Sequence, residues 1–319
     1  MKKNIQLYLI SGFLGSGKTT FLKQLLEQSN KKVGVIVNEF GSVGIDGKVL
    51  QKEDLKMVEI NNGSIFCACL KGGFVKALVA FLEKPIDVLF IEASGMADPS
   101  GMKNLLEQLT VLLEKNSEIT QQFEYKGSIC IVDAVRFEDF SEMFQPVTNQ
   151  VRNSSLIIIN KVDEVSETKL KKLYIKLSQL NNKAYVYETS FGQMPIELLD
   201  SKVNPNVVLD QKSTNTINNR PKSYTIQMKD MYDVEKMKDF YLELSNDVIR
   251  FKGFFKTLEG EIAHADCVGD YIKIDIKSYN ININDSFEIV MIGKSGEDYS
   301  KRIMQTWNKH FGKKVICFK

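Results

Sequence analysis

The sequence predicts an α/β fold, a mostly parallel sheet with flanking helices, followed by a smaller α+β domain. Three observations carry this expectation. From the N-terminus to about residue 200, β-rich apolar runs alternate with amphipathic stretches, the rhythm of strand–helix units. A glycine-rich segment, Gly12-Phe13-Leu14-Gly15-Ser16-Gly17-Lys18-Thr19, separates the first apolar run from the first amphipathic stretch. Gln211 to Arg220 (QKSTNTINNR) is polar, without periodicity and followed by Pro221, so residues 211–221 read as a linker between domains at 1–210 and 222–319. With 319 residues and 43% hydrophobic composition, the chain exceeds what one core usually serves.

The elements follow in order. Short runs rich in Val, Ile, Leu and aromatic residues predict strands at Gln6 to Ile10, Val33 to Val37, Met57 to Ile60, Val88 to Ile91, Ile129 to Val132, Leu156 to Ile159 and Ala184 to Tyr187. Apolar residues at helical spacing predict helices at Thr19 to Gln28, Gly73 to Leu82, Met102 to Glu114, Glu167 to Leu180 and Pro195 to Leu199. Beyond the linker the rhythm changes to a strand near Ser223 to Met228, a helix near Val234 to Leu244, several strands between Val248 and Val290, and a last helix near Tyr299 to His310. There is no internal repeat and no low-complexity block.

Composition narrows the function classes. Lys+Arg 42 against Asp+Glu 40 leaves +2, too balanced to build a field for nucleic acid or an anionic membrane, so neither is an expected partner. Apolar runs such as Leu156 to Ile159 fall far short of the roughly 18 residues a membrane span needs. Lys2 and Lys3 precede apolar residues, but Asn4 and Gln6 interrupt the run, and a cytoplasmic location is expected. Five cysteines, an odd and sparse count, suit reduced thiols better than a disulfide framework.

Gly12 to Thr19 matches GxxxxGK[ST] between a strand and a helix, which makes the first domain a P-loop NTPase domain. The glycines at 12, 15 and 17 let backbone N–H groups, including that of Ser16, turn toward phosphate. Lys18 supplies a point charge, Thr19 can ligate Mg²⁺, and Thr20 continues the helix N-terminus. Asn160-Lys161-Val162-Asp163 closes the strand Leu156 to Ile159 and fits NKxD. Its Asp can accept hydrogen bonds from the guanine N1–H and 2-amino group, while Asn160 can meet the Hoogsteen side. Ser190, after the next strand, stands where a loop closing over the base is expected.

Glu92 ends the strand Val88 to Ile91 and is read as facing Mg²⁺, with the N–H of Gly95 available to a γ-phosphate; the plainer reading of Glu92 is a solvated strand end. Asp98, before Pro99, serves equally well as a loop residue of the site or as a helix N-cap. Glu39, in Asn38-Glu39-Phe40-Gly41, is suited to orienting Mg²⁺ or the attacking water, and is preferred to Asp46, whose Asp-Gly pair reads as a turn. Cys67 and Cys69 admit two readings: soft ligands for Zn²⁺ or another thiophilic ion, incomplete without further donors, or two small buried hydrophobes. Cys130 and Cys317 read as packing, and the two histidines, His264 and His310, have no neighbouring His to make a metal store.

In combination these motifs resemble the CobW-like family of P-loop GTPases, relatives of the nickel-insertion GTPases for urease and hydrogenase. The resembling segments are SGFLGSGKTT at Ser11 to Thr20, NEFGSVGIDG at Asn38 to Gly47, Asn62-Gly63, IEASGMADP at Ile91 to Pro99, IVDA at Ile131 to Ala134 and Asn160 to Asp163. Arg250 to Gly253 adds a thinner match in the second domain. The resemblance implies a GTP-hydrolysing metallochaperone or maturation factor that passes metal to a client metalloenzyme or cofactor protein. It implies Lys18 and Thr19 as phosphate and Mg²⁺ residues, Glu39 and Glu92 as acidic magnesium-site residues, and Asn160 and Asp163 as base readers. The chain departs from the family's CxCC, which usually follows the Asn-Gly directly. Here Ser64-Ile65-Phe66-Cys67 stands there, with Cys69 two residues on, so the cargo is Zn²⁺, Co²⁺ or Ni²⁺ held with a further ligand, or a different cofactor.

The favoured expectation is a slow GTPase switch without an evident arginine finger, activated when a client docks. Two rivals stand beside it: a nucleotide-dependent adaptor for a corrinoid or nickel enzyme with structural cysteines, and a small-molecule kinase, against which Asn160 to Asp163 argues.

Overall fold

The computed structural model describes residues 3–38, 56–60, 71–102, 105–107, 109, 121–205, 222–269, 271–276, 287–294 and 297–312. They fall into two compact units. The expected linker at 211–221 lies outside the described residues.

The first unit is built on seven strands: β1 (Lys3–Gly12), β2 (Val33–Asn38), β3 (Lys56–Ile60), β4 (Val88–Glu92), β5 (Gln121–Asp133), β6 (Leu156–Asn160) and β7 (Tyr185–Glu188). They form one sheet in the order β3-β2-β4-β1-β5-β6-β7, and every pairing is parallel. Burial follows the period of two that a sheet covered on both faces imposes. Ile5, Leu7 and Leu9 of β1 join Leu89 and Ile91 of β4 in one core, with Phe74, Leu78 and Phe81 of helix α2 (Lys71–Leu82). Tyr8 and Ile10 join Val88 and Phe90 in the opposite core, with Phe21, Leu22 and Leu25 of α1 (Lys18–Gln28). Each such buried aliphatic or aromatic side chain contributes roughly 1.5–3 kcal/mol of transfer free energy.

Among the described residues the unit also has the helices α3 (Phe137–Met143), α4 (Gln145–Arg152), α5 (Glu167–Leu180) and α6 (Glu197–Lys202). Ser166 caps α5 by accepting from the Lys169 N–H. The strand expected at Ile129 to Val132 is much longer. Its first half, Gln121 to Lys126, is polar and only half-buried, so it carries no apolar run, yet it pairs with β1 as far as Lys3. The short helices α3 and α4 are also additions, and the helix expected at Pro195 to Leu199 starts later, at Glu197. Of the helix expected at Met102 to Glu114, residues 102, 105–107 and 109 are helical, and the rest lies outside the described residues.

The second unit is an antiparallel sheet in the order β12-β11-β10-β13-β8, with β9 pairing β10 in parallel at its side. Its strands are β8 (Ser223–Met228), β9 (Met231–Tyr232), β10 (Val248–Thr257), β11 (Ile262–Val268), β12 (Ile274–Ile276) and β13 (Phe287–Gly293). Helices α7 (Val234–Leu244) and α8 (Ser300–Phe311) complete a core in which Phe240 and Trp307 meet edge to face at 5.3 Å over Phe251 and Phe255. In the Arg250 to Gly253 segment, Arg250 pairs with Asp266 at 3.2 Å. Gly253 is required by close strand approach, because a Cβ there would stand 2.0 Å from the Glu288 carbonyl oxygen. No described helix is long and apolar enough to cross a membrane.

Candidate functional site

The carboxyl end of β1 runs straight into the phosphate loop. Gly12 adopts φ +145°, and a Cβ there would lie 2.4 Å from the Ile131 carbonyl oxygen, so β5 presses on the loop's first residue. At the other end Gly17 adopts φ +100°, and its Cβ would lie 2.4 Å from Asn160 Nδ2. Between them Gly15 is also left-handed, at φ +74°, and the Ser16 N–H bonds the Phe13 carbonyl at 3.3 Å. Phe13 anchors the loop's outer side, stacking on Phe144 at 5.5 Å and tilting against Phe140 at 4.4 Å.

Helix α1 begins with Lys18. Its N-cap is Gly17, with no side-chain cap and no acidic residue in the first turn, so the N–H groups and the dipole of this end are left to an anion. Lys18 is buried and its amine donates to the Phe13 carbonyl at 3.1 Å, lying back across the loop. Thr19 Oγ1 donates to Glu92 Oε1 at 2.9 Å, which brings together two of the three residues expected around Mg²⁺. A hydroxyl and a carboxylate side by side form an oxygen-only donor set, which fits a hard divalent cation. Glu92 is 3% exposed, so the solvated-strand-end reading does not describe it. Thr20 is exposed on the first turn of α1.

After β4 the chain passes through buried Ser94, Gly95 and Asp98. Gly95 lies hard against the phosphate loop: a Cβ would stand 2.7 Å from the Leu14 nitrogen. Asp98 caps the 3₁₀ turn Pro99–Gly101 through the Ser100 N–H, the capping role, and its other oxygen accepts from Asn149 Nδ2 at 3.0 Å. The neighbouring Gln150 donates to the carbonyls of Gly95 and Ala97 at 3.0 and 2.9 Å. Helix α4 therefore grips the 93–101 segment with a buried polar face.

At the end of β6, Asn160 is 3% exposed and uses both ends of its amide. Nδ2 donates to the Ser16 carbonyl at 2.9 Å, and Oδ1 accepts from the Gly192 N–H at 3.1 Å. One side chain thus ties the phosphate loop to the loop after β7. Lys161 has φ +64° and pairs with Asp133 at the end of β5, 2.5 Å away. Asp163 sits on the 3₁₀ turn Val162–Glu164, exposed, its carboxylate accepting no hydrogen bond from another described residue. Ser190 is half-buried in the loop Thr189 to Gln193, and its carbonyl accepts from Thr189 Oγ1 at 3.1 Å.

Cys130 is buried on β5 beside the loop, where burial pushes its thiol up to about 12 against smaller opposite pulls from Ser11 and Lys18. That is the packing role. In the second unit His310 bonds Glu243 at 2.8 Å and His264 packs tilted against Phe254 at 4.7 Å. Glu39, Asp46, Cys67, Cys69 and Cys317 lie outside the described residues.

The geometry joins a phosphate loop, an acidic strand end and an exposed aspartate turn at the carboxyl edge of one parallel sheet. A model of the CobW/HypB/UreG nucleotide-binding domain matches residues 6–188, more than half of the chain. The chain belongs to the CobW/HypB/UreG family of P-loop GTPases. Among individual relatives of this CobW/HypB/UreG chain, the zinc chaperone YjiA of Escherichia coli is 29% identical over 280 residues, covering 81% of this chain and 83% of that protein. The zinc chaperone CobW of a Sinorhizobium species is 27% identical over 288 residues, covering 81% and 78%. The solved structure of the Zn(II)-bound YjiA GTPase from E. coli covers 97% of this chain and 99% of its own, at 24% identity and a TM-score of 0.46.

Sequence reasoning did not single out Asn149, Gln150 or Asp133. Asn149 and Gln150 sit in a short helix with Pro146 in its first turn, where they are buried beside Val147 and Val151, and two valines are too few to mark which of the polar residues turn inward. Asp133 was visible as the Asp of IVDA, but its pairing with Lys161 is a tertiary fact.

Proposed function

We propose that this protein is a GTP-hydrolysing metallochaperone that couples Mg-GTP turnover to delivery of Zn²⁺, or of Co²⁺ or Ni²⁺, to a client metalloenzyme or cofactor protein in the cytoplasm. The GTPase domain is 1–210 and the CobW-like α+β domain 222–319, joined by 211–221. What supports the reading above all is the Asn160 bridge. It makes phosphate loop and base-side loop one surface, beside which the Asp163 carboxylate faces solvent with its lone pairs available.

In this reading the N–H groups of Gly12, Gly15, Ser16, Gly17 and Thr20 and the amine of Lys18 hold the phosphates, and Lys18 stabilises charge on the transferring group. To do so the Lys18 amine leaves the Phe13 carbonyl, to which it donates at 3.1 Å. Thr19, Glu39 and Glu92 hold Mg²⁺, which when bound neutralises charge on the terminal phosphates. Gly95 offers its N–H to the γ-phosphate. Asp163 reads the guanine N1–H and 2-amino group, Lys161 and Ser190 enclose the base, and Asn160 holds the loops that enclose it. Cys67 and Cys69 hold the cargo ion, a role that fits the zinc-chaperone names of the relatives.

Two titrations test the proposal. Asp163→Asn should lose about 100-fold or more in GTP affinity and gain xanthosine triphosphate, whose 2-oxo group accepts from the new amide; unchanged preference for GTP refutes guanine reading. Zn²⁺ competition under reducing conditions, with a GTP analogue or GDP bound, should give tight nucleotide-dependent binding that disappears in Cys67→Ser/Cys69→Ser. Binding indifferent to nucleotide and cysteines returns the protein to the adaptor reading.

A further inference from the structure

We infer that the Ser94 hydroxyl is a nucleotide-contacting group that reads the terminal phosphate, with Gln150 as its positioning residue. The inference rests on the Mg-GTP reading of the site and adds a residue to it.

The backbone sets the direction of Ser94. Along β4, Leu89 and Ile91 and then Ala93 face the core shared with α2, whereas Val88 and Phe90 face the core shared with α1. The strand's hydrogen bonding persists past its formal end, since the Ala93 N–H bonds the Ile10 carbonyl at 2.9 Å. Alternation therefore places Glu92 and Ser94 on the α1 side, and the 2.9 Å bond from Thr19 to Glu92 verifies it for the first of the two. Ser94 lies one pleat farther along, beyond the carboxylate and toward the phosphate loop.

The surroundings of Ser94 are those of the loop's outer end. Gly95, its neighbour, touches the Leu14 backbone, and the Lys18 amine rests on the carbonyl of Phe13, the residue before. Ser94 is 4% exposed, and its Oγ has no hydrogen-bond partner among the described residues. A buried hydroxyl left unsatisfied is destabilising, so its presence calls for a partner that the described residues do not provide. A phosphoryl oxygen beside Lys18 and the Gly95 N–H is such a partner, and it completes the hydroxyl with a charge-assisted bond.

The turn that presents Ser94 is braced. The Ala97 N–H bonds the Ser94 carbonyl at 2.9 Å, and Gln150 holds the carbonyls of Gly95 and Ala97 from the other side. A hydroxyl on a free loop would lose most of its worth to ordering; this one is held before ligand arrives.

The test compares affinities for a non-hydrolysable GTP analogue and for GDP by calorimetry. Ser94→Ala should lower the analogue-to-GDP affinity ratio by about 10-fold while GDP affinity stays within about twofold, and Ser94→Thr should restore the ratio. Gln150→Leu should lower the same ratio, by less, with GDP binding again kept. Lys18→Ala serves as the control for the underlying site and should lose both nucleotides. If Lys18→Ala binds as the wild type does, the site reading itself fails. If Lys18→Ala loses binding but Ser94→Ala keeps the wild-type ratio, only the assignment of Ser94 is overturned.

Discussion

Replacing Asn160 separates two jobs that the NKxD motif leaves merged. In the folded chain its amide donates to the Ser16 carbonyl at 2.9 Å and accepts from the Gly192 N–H at 3.1 Å, both in buried surroundings. Asn160→Ala leaves one carbonyl and one N–H without their partner. At roughly 1–3 kcal/mol for each orphaned buried group, with some relaxation of the two loops, the cost should be about 2–4 kcal/mol. In a domain of this size that corresponds to a fall of roughly 5–15 °C in Tm. The loss should be present without nucleotide, because the bonds are made within the protein. Differential scanning calorimetry of the nucleotide-free protein reads it directly, with GTP-analogue affinity measured in parallel. Asn160→Asp isolates one arm: Gly192 keeps an acceptor, while the Ser16 carbonyl faces a carboxylate oxygen. It should destabilise near neutral pH and recover in acid, where the protonated carboxyl can donate again. A nucleotide-free Tm within about 1 °C of wild type for Asn160→Ala, together with lost GTP affinity, would refute the bridge and leave Asn160 a base reader alone.

Two other consequences are accessible to simple measurements. Phe191 holds φ +58° and is 70% exposed, a left-handed conformation that costs an L-residue about 1–2 kcal/mol. Phe191→Gly should therefore raise nucleotide-free stability by about 0.5–1 kcal/mol in urea, less than the full strain because glycine gains entropy when unfolded; a loss of stability refutes this. Burial pushes the thiols of Cys130 and Cys267 up to about 12, so both stay protonated far above neutral pH, the form that does not react. Maleimide labelling of the native protein at pH 8 should leave both unmodified by peptide mass spectrometry and reach them in urea. Labelling of either in the native state contradicts the packing that raises them.

The fold was legible where each element follows from its own residues. The runs VLFIE and LIIIN are strands buried on both faces, and nothing distant is needed to see it. The motif glycines were legible too, because the conformations at 12, 15 and 17 exclude most other residues. What escaped depends on neighbours. Residues 121–126 become a strand because β1 offers a partner edge, not because their own pattern alternates cleanly. Gln150 is buried by amide-to-carbonyl bonds across more than fifty residues of sequence, and a polar helix face looks solvated until its partner loop is placed. Asn160 was legible as part of a motif but not as a bridge, since the bridge requires Ser16 and Gly192 to converge.

The order of the sheet gives β4 a place in the proposed coupling. β1 lies between β4 and β5, so chain direction across the sheet reverses at the phosphate loop, the position where parallel α/β sheets open a crevice for ligand. The base-side residues come from β5, β6 and β7, on one side of that reversal. On the other side stand β4, β2 and β3, and the chain leaving β2 at Asn38 and β3 at Ile60 leads in sequence to Glu39 and to Cys67 and Cys69. Among the described strands β4 stands between β1 and these two; it ends in Glu92, already bonded to Thr19, with Ser94 two residues on. If GTP controls the cargo cysteines as proposed, the end of β4, where Glu92 and Ser94 meet the terminal phosphate in that reading, is one element that responds to its state. Ser94→Ala should then weaken the nucleotide dependence of Zn²⁺ affinity and, by linkage, the Zn²⁺ dependence of the triphosphate preference by the same factor.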